Sequence, residues 1–397
     1  MGRPEIAIIG GGIGGLTLGL ALRRHGVRAR VYEQAPALGE VGAAVALAAN
    51  GTRILRELGL SPALEAASTV PSELVYRHWT GRRLVSHPVG PGYEAQFGAP
   101  FWGVHRARLQ QALADAWGTE DLHLGKELTH VEVLGDENRL VFADGTTTSA
   151  TLVVGADGIR SRIRARMCDD QPVYSGTSGF RGLVPRAAVP DLPDPDAVQF
   201  WMGPDAHLLH YAIGDVINFL AVLEGPDRWD GPAGTAPSAP GELAAAFRGW
   251  HPAVVSMIEA VPQSPRWGLF ALPPLTRWTA DRMVLLGDAA HAMLPHHGQG
   301  ANQTIEDAAV LADHLAAVTD DADLPGALAA YERRRRPRTR QVQRSSWVTS
   351  ALLHLPDGDA AAARDRRLAD LVDDFAWIHA YDHREPAGLP TRRKAPA

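Results

Sequence analysis

The chain has 397 residues, 45% of them hydrophobic and 21% charged, which is typical of a folded globular protein and excludes disordered, collagenous and disulfide-scaffold classes. Its 39 basic and 45 acidic residues give a net charge of −6, so no global positive field is available to hold nucleic acid or an anionic membrane. The single cysteine, Cys168, cannot form an intrachain disulfide, and a cytoplasmic location is expected. This length predicts two or three domains, and small molecules are the expected partners.

The N-terminal segment predicts a βαβ unit. Residues 5–9 have the pattern of a buried strand, 10–15 of a tight turn, 16–25 of a helix and 27–33 of a second strand. Glycine is frequent in this apolar stretch and is costly inside a helix, which argues against a signal peptide or a membrane span.

The rest of the chain predicts an α/β domain with an antiparallel sheet inserted into it. Before the insertion we expect helices at 50–58 and 104–117, a hairpin at 73–85 and strands at 127–134, 139–143 and 151–155. Alternating patterns then predict strands at 179–184, 197–202, 207–213 and 216–223. Beyond them we expect a helix at 242–261, a strand at 283–287, and helices at 299–318, 324–349 (kinked or broken at Pro337) and 360–375.

The turn in the βαβ unit carries the chemistry of a dinucleotide site. Its glycines match G-x-G-x-x-G, which lets the backbone approach a pyrophosphate at a helix N-terminus. Glu33 ends the next strand, where a carboxylate binds ribose hydroxyls and repels a 2′-phosphate, so FAD and NAD are both open and NADP is disfavoured. The residues expected here are Gly10, Gly12, Ile13, Gly14, Gly15, Glu33 and Gln34.

Two further segments narrow this choice. Asp157-Gly158 follows the predicted strand at 151–155, and Gly287-Asp288 follows the one at 283–287 and precedes a Pro-His-His-Gly-Gln-Gly run. With these three ordered motifs the chain resembles the single-component FAD-dependent aromatic hydroxylases, the salicylate hydroxylases in particular. The resemblance covers nearly the whole chain, including residues 104–109, 179–182, 305–308 and 331–337, and departs from the family pattern at Arg108 and Ala212.

This resemblance implies a glutathione-reductase-like Rossmann FAD domain with an inserted antiparallel-sheet substrate domain and C-terminal helices. We expect the discontinuous FAD domain at 1–72, 97–172 and 267–323, the substrate domain at 73–96 and 173–266, and the helical region at 324–397. A second glycine fingerprint and a redox cysteine pair are absent from the sequence, which argues against disulfide-reductase-like flavoenzymes.

Further cofactor contacts follow from the same motifs. Asp288 ends a strand beside the expected pyrophosphate, and a helix start can place backbone N–H groups at the flavin pyrimidine edge; the residues are Pro295, Gly298, Gly300, Ala301 and Asn302. By resemblance, Arg106 pairs with the pyrophosphate, Leu128 meets the adenine and Asp157 links the cofactor to the nicotinamide site. A surface arginine, a core leucine and a helix N-cap are the respective alternatives.

The substrate side is expected on the inserted strands. Alternation puts His207 and Tyr211 on one strand face, and by resemblance His296 lies where substrate meets the flavin, so a histidine could serve as base towards a phenol. Arg181 is a candidate for orienting substrate or flavin, and a structural role is open for all four residues. We expect the arginine run at 333–340 to be a solvated face, and we expect no metal site.

The resemblance implies an NAD(P)H- and FAD-dependent monooxygenase that uses O₂ to hydroxylate a small phenolic or related electron-rich aromatic through a C4a-hydroperoxyflavin. A homodimer is an open option. One alternative is a natural-product tailoring flavoenzyme that performs epoxidation or Baeyer–Villiger insertion, and another is a non-catalytic flavin-binding regulatory protein.

Overall fold

The structure is a computed structural model that describes residues 3–39, 44–230, 234–261 and 263–385. The structure does not describe the last part of the predicted C-terminal region, 386–397. Its strands in chain order are β1 (Ile6–Ile9), β2 (Ala29–Tyr32), β3 (Ala44–Leu47), β4 (Ser68–Thr69), β5 (Glu73–His78), β6 (Arg83–Pro88), β7 (Trp102–His105), β8 (Leu122–His123), β9 (Leu128–Leu134), β10 (Glu137–Phe142), β11 (Thr147–Ala150), β12 (Leu152–Gly155), β13 (Val173–Pro185), β14 (Val198–Gly203), β15 (Ala206–Ile213), β16 (Val216–Glu224), β17 (Thr235–Ala236), β18 (Arg266–Ala271), β19 (Thr279–Ala280) and β20 (Met283–Leu285).

Besides these strands and several short 3₁₀ helices, the structure contains α-helices. They are α1 (Ile13–Arg24), α2 (Ala49–Glu57), α3 (Ser61–Ala67), α4 (Pro91–Phe97), α5 (Arg106–Trp117), α6 (Glu242–Ala246), α7 (Pro252–Glu259), α8 (Asp288–His291), α9 (Gly300–Ala316), α10 (Leu324–Leu353), α11 (Asp359–Arg367) and α12 (Leu371–His379). Within the described ranges, none of the helices has the length and apolarity needed to cross a bilayer.

A six-stranded sheet, which includes the N-terminal strand β1, forms the centre of one half of the molecule. Its order is β19-β20-β12-β1-β2-β8, and β1 pairs in parallel with both β12 and β2. Every residue of β1 and β12 is buried, as expected for strands of a parallel sheet covered on both faces. The predicted βαβ unit is confirmed, and the ends of β1, β12 and β20 open onto the cavity described below.

An eight-stranded sheet forms the second half. Its order is β17-β18-β13-β16-β15-β14-β5-β6, and neighbours are antiparallel except for the parallel pair β14 and β5. One face packs Phe180, Trp201 and Phe219 against α6 and α7. The predicted inserted antiparallel sheet is confirmed, and the hairpin β5–β6 extends it with chain from far upstream. The exact domain boundaries stay a prediction.

The described residues also form two small antiparallel sheets, β3-β7-β4 and β11-β10-β9. The first corrects the helix expected at 104–117, because residues 102–105 form β7 and α5 begins at Arg106. The His105 Nδ1 atom accepts a hydrogen bond from Ala107 N at 3.3 Å, so this side chain caps the helix where the strand ends.

The C-terminal predictions need three corrections. The helix expected at 242–261 is two helices, α6 and α7, with Gly249 at φ +85° between them and Pro252 starting the second. The segment expected as a helix at 360–375 divides into α11 and α12. In contrast, α10 runs without a break through Pro337. Buried ion pairs of Arg335 and Arg338, on both sides of the proline, anchor that part of the helix.

Candidate active site

A cavity of about 880 Å³ lies between the ends of the parallel strands and the inner face of the eight-stranded sheet. Most of the residues predicted to bind the cofactor line it: Gly10, Gly12, Ile13, Gly14, Glu33, Gln34, Arg106, Leu128, Asp157, Asp288, Pro295, Gly298, Gly300 and Ala301. Gly15 and Asn302 do not line it, but both pack against residues that do. Residues from distant parts of the sequence therefore meet around one space.

The glycine-rich turn depends on the absence of side chains. Gly10 has φ +111°, and a Cβ there would overlap the carbonyl oxygen of Ala156. A Cβ at Gly15 would likewise overlap the carbonyl oxygen of Gly10. The turn can therefore close tightly, and it directs the uncapped N-terminus of α1 at the cavity.

Glu33 closes the other side of this turn. Its Oε2 accepts a hydrogen bond from Gly11 N at 2.7 Å, and its Oε1 accepts one from Ala35 N at 2.8 Å. These bonds hold the carboxylate at the cavity wall and leave lone pairs on both oxygens for ribose hydroxyls. Gln110, which sequence reasoning missed, also lines the cavity and donates to Gly11 O at 3.1 Å.

A second helix N-terminus faces the cavity from α9. Within the described chain no side chain caps this helix, and Gly300 and Ala301 expose their backbone to the cavity. Asn302 holds the loop before α2 against this terminus. It donates to Ala46 O at 3.0 Å and accepts from Ala48 N at 3.0 Å. The positive end of α9 is thereby fixed where an anionic ring could be stabilised.

Asp157 and Asp288 differ in their surroundings although both line the cavity. Asp157 Oδ2 accepts from Arg162 N at 2.7 Å, so the alternative role as a local cap is also present. Burial raises the pKa of Asp157. Asp288 is exposed to the cavity at the start of α8 and is well placed to bind hydroxyl groups.

A largely buried ion-pair cluster joins α9 to α10, close to the end of the cavity that the glycine turn and Glu33 line, called the cofactor end below. Arg335 donates to Glu306 and, at 2.6 Å, to Asp307 Oδ1, while Arg338 binds Glu306 Oε2 at 2.7 Å. The expectation of a solvated arginine face is therefore wrong for Arg335 and Arg338. The run of arginines along one helix does not reveal that two acids of α9 pack against it.

This cluster reaches the cavity through Asp307. Its Oδ2 accepts from Gly287 N at 3.0 Å and contacts His291 Nε2 at 2.5 Å. Gly287 has φ +63° and directly precedes Asp288. The buried arginine of α10 therefore helps to fix the loop that presents Asp288.

The other end of the cavity, where the substrate is expected, lies on three neighbouring strands and is called the substrate end below. Arg181 on β13 is opposite Leu220 of β16, which is opposite Leu209 of β15, and all three line the cavity. The next row contains Asn218 opposite Tyr211, both also lining it. Asn218 was missed because one polar residue in an apolar strand has no distinguishing sequence signal.

Arg181 and Tyr211 have shifted ionisation. Burial lowers the pKa of Arg181, and the nearby positive charge of Arg106 lowers it further. The Arg181 guanidinium lies 5.2 Å from the ring centre of Trp267. Burial raises the pKa of Tyr211, so its hydroxyl stays neutral at physiological pH.

His207 and His296 do not line the cavity. They lie next to its substrate end, with their ring centres 5.2 Å apart in an edge-on arrangement. Burial lowers the pKa of His207 well below its usual value and that of His296 to about 3. His354, which no motif indicated, lies beside His207 with a 2.7 Å contact between His207 Nδ1 and His354 Nε2.

This arrangement fits FAD. The glycine turn, which has no room for a Cβ at Gly10 or Gly15, and the N-terminus of α1 suit the pyrophosphate. The N-terminus of α9 suits the flavin ring, and the Glu33 carboxylate suits a ribose. A family model described as FAD binding domain matches residues 3–214 and 266–346. The chain belongs to the FAD-dependent aromatic monooxygenases.

Individual relatives agree with this membership. A 3-amino-4-hydroxybenzoate 2-monooxygenase of Streptomyces platensis is 42% identical over 96% of each chain. Salicylate hydroxylase of Pseudomonas putida is 36% identical over 95% of this chain and 92% of its own. The structure of Klebsiella pneumoniae HpxO complexed with FAD and uric acid is 28% identical, with a TM-score of 0.80 over 92% of this chain and 93% of that chain.

The monooxygenase therefore uses FAD and NAD(P)H, and the predicted fold class is confirmed. The relatives named here are enzymes, which favours catalysis over a purely regulatory role. The individual site residues, the cytoplasmic location and the homodimer stay predictions. Among the described residues, no group of three or more His, Cys, Asp and Glu side chains is placed to hold a metal ion.

Proposed function

We propose that this monooxygenase hydroxylates an aromatic ring that carries both a carboxylate and a phenolic hydroxyl. The observation that carries the proposal is Arg181, a partly buried cation at the cavity wall that forms no ion pair with a described carboxylate. The positive charge of Arg106 also acts on Arg181 and lowers its pKa further. A carboxylate of the substrate would pair with the Arg181 guanidinium.

The remaining wall suits the ring and the hydroxyl. Leu209, Leu220 and Leu294 supply apolar surface, while Tyr211 and Asn218 supply hydrogen-bonding groups close to Arg181. The two curated relatives described above support this choice, because 3-amino-4-hydroxybenzoate and salicylate both have a carboxylate and a hydroxyl on one ring.

The chain contributes binding, orientation and electrostatics. FAD, when bound, supplies the two-electron chemistry between NAD(P)H and O₂. The glycine turn, Glu33 and Asp288 would hold its dinucleotide portion, and the N-terminus of α9 would stabilise negative charge on the ring. Arg181 would orient the substrate, and the apolar wall would exclude water from the reacting atoms.

The test compares acids with their decarboxylated counterparts. FAD-loaded enzyme is assayed for NAD(P)H oxidation, hydrogen peroxide and hydroxylated product with 3-amino-4-hydroxybenzoate against 2-aminophenol, and with salicylate against phenol. We expect product from at least one acid, and a kcat/KM on the order of 100-fold lower for its counterpart, equivalent to about 2.7 kcal/mol.

Arg181→Gln sharpens the same test. It should abolish most of the preference for the acid, with the loss mainly in KM, and change turnover of the decarboxylated compound little. Arg186→Gln is the matched control, because Arg186 follows the same strand, has a side chain that is only 40% exposed, and pairs with Asp196 at 2.8 Å. Equal kcat/KM for acid and counterpart in the unmodified enzyme would contradict the proposal.

A further inference from the structure

Three buried side-chain amides join the ion-pair cluster of α9 and α10 to the cavity, and they are called the amide row below. They belong to Asn50 on α2, Gln303 on α9 and Gln299, the residue directly before α9. Asn50 and Gln303 are fully buried, and Gln299 is 2% exposed although it lines the cavity. Burying amides costs free energy unless hydrogen bonds compensate it, so the groups that each amide meets decide how it is oriented.

One end of the amide row meets groups that can only donate or only accept hydrogen bonds. The Arg335 guanidinium donates to Gln303 Oε1 at 2.9 Å, and Gln303 Nε2 donates to Glu306 Oε1 at 3.0 Å. Burial alone would raise the pKa of Glu306, but Arg338 and Arg335 outweigh it and lower the pKa. The Glu306 carboxylate therefore stays ionised and accepts hydrogen bonds without donating any.

The same carboxylate fixes the orientation of Asn50. Asn50 Nδ2 donates to Glu306 Oε1 at 2.6 Å and to Gln299 Oε1 at 3.0 Å. Turning the Asn50 amide over would place its oxygen against the carboxylate, which has no proton to donate. Gln303 Nε2 also lies 3.3 Å from Gln299 Oε1. Two donors therefore hold the oxygen of the Gln299 amide on the side of the ion-pair cluster.

The nitrogen of the Gln299 amide is left for the cavity. Within the described residues no group accepts a hydrogen bond from Gln299 Nε2, although this atom is not fully enclosed by protein. Gly298 and Gly300, on either side of Gln299, also line the cavity at the N-terminus of α9. The two N–H groups of the amide are therefore available where the flavin ring is expected.

We propose that Gln299 donates a hydrogen bond to the flavin ring and that the amide row sets the polarity of this contact. A donor at this place stabilises reduced flavin more than oxidised flavin, because reduction adds negative charge to the ring. Asn50 acts through Gln299 and is a positioning residue. The role needs no particular substrate and is therefore independent of the proposed function.

The experiment measures the reduction of bound FAD without substrate or turnover. FAD-loaded enzyme is reduced gradually without oxygen in the presence of a reference dye, and absorbance gives the ratio of reduced to oxidised flavin at equilibrium. Gln299→Met should lower the equilibrium constant for reduction on the order of tenfold, equivalent to about 30 mV for a two-electron couple. The dissociation constant of oxidised FAD should change less, because the oxidised ring carries less negative charge.

Two further variants separate the polarity of the contact from a general loss of structure. Gln199→Met is the matched control, because Gln199 is also buried and accepts from Arg77 Nε at 2.7 Å but does not line the cavity; it should leave the equilibrium constant unchanged. Asn50→Leu should lower the constant a few-fold, since the Gln299 amide loses its 3.0 Å donor and can turn its oxygen towards the ring. Asn50→Leu should add little to Gln299→Met, because Asn50 acts through Gln299.

Several results would overturn the proposal. An unchanged equilibrium constant in Gln299→Met would exclude the donor role, and fully additive shifts of the two variants would exclude the action of Asn50 through Gln299. If Gln299→Met binds no FAD, Asn50→Leu decides alone, and an unchanged constant in that variant overturns the proposal. If the expected shifts occur but the unmodified enzyme hydroxylates no carboxylated phenol, the donor role is supported and only the proposed function fails.

Discussion

The two ends of the cavity differ in whether backbone groups or side chains form them. The cofactor end consists mainly of backbone groups that are consecutive in sequence, such as the turn beginning at Gly10 and the start of α9 at Gly300. The substrate end consists of side chains from separate elements, and His207 and His354 are 147 residues apart. Backbone sites leave a glycine pattern in the sequence, whereas assembled side-chain sites leave no local pattern.

The largest expected effect on FAD binding comes from adding one methyl group to the backbone at the cofactor end. Gly10→Ala would place a Cβ against the Ala156 carbonyl at a φ of +111°, so the turn must move. FAD affinity should fall by on the order of 100-fold or more, because this turn both forms the expected pyrophosphate site and positions the N-terminus of α1. Fluorescence titration of the apoprotein with FAD measures the change.

Gly26→Ala is the control for backbone strain alone. Gly26 also has a positive φ, +69°, but a Cβ there meets no atom within 4 Å. Its FAD affinity should match that of the unmodified protein, with about 1 kcal/mol lost from stability. Equal FAD affinity in the Gly10 and Gly26 variants would contradict the view that the cofactor end depends on backbone shape.

A smaller effect on FAD binding tests whether the cofactor end also depends on a distant side chain. Arg335→Met should lower the free energy of unfolding by about 3–5 kcal/mol, because it leaves Glu306 and Asp307 buried without their main cation. Urea unfolding of the FAD-loaded enzyme measures this. FAD should also bind less tightly, since Asp307 holds Gly287 N.

The neighbouring arginine provides a matched comparison. Arg336 is partly exposed and pairs with Glu332 at 3.5 Å on the same helix. Arg336→Met should cost less than about 1 kcal/mol, as expected for an exposed i,i+4 pair. If the two variants unfold at the same urea concentration and bind FAD equally tightly, the buried cluster does not support the cofactor end.

These arginines show where sequence reasoning stops. The βαβ unit, the inserted sheet and most of the residues that line the cofactor end of the cavity could be predicted, because hydrophobic period, glycine spacing and strand ends fix them locally. The burial of Arg335 could not, since it depends on α9 and α10 packing together. The same applies to His354, whose partner lies on another element, and to the strand β7, whose Val104 and His105 also fit a helix pattern.

The smallest expected effect concerns a contact that no motif indicates, between the C-terminal segment and the cofactor half. His383 Nδ1 lies 2.9 Å from Asp313 Oδ2 on α9, and its Nε2 lies 3.1 Å from Glu57 Oε2 on α2. Burial alone would lower the pKa of His383, but these two carboxylates outweigh it and raise the pKa to about 9.

The sign of the pH dependence follows from this raised pKa. A histidine held above its ordinary value of 6.5 stabilises the fold fully below pH 6.5, and this contribution is lost as the pH rises through about 9. His383→Gln should therefore lower the free energy of unfolding by on the order of 2 kcal/mol at pH 6 and by little above pH 9. His25→Gln, which removes a more exposed partner of Asp313, should cost less than about 1 kcal/mol. Thermal melting across pH 6–10 measures both variants, and a His383→Gln deficit that stays constant with pH would show that the side chain acts by packing rather than by charge.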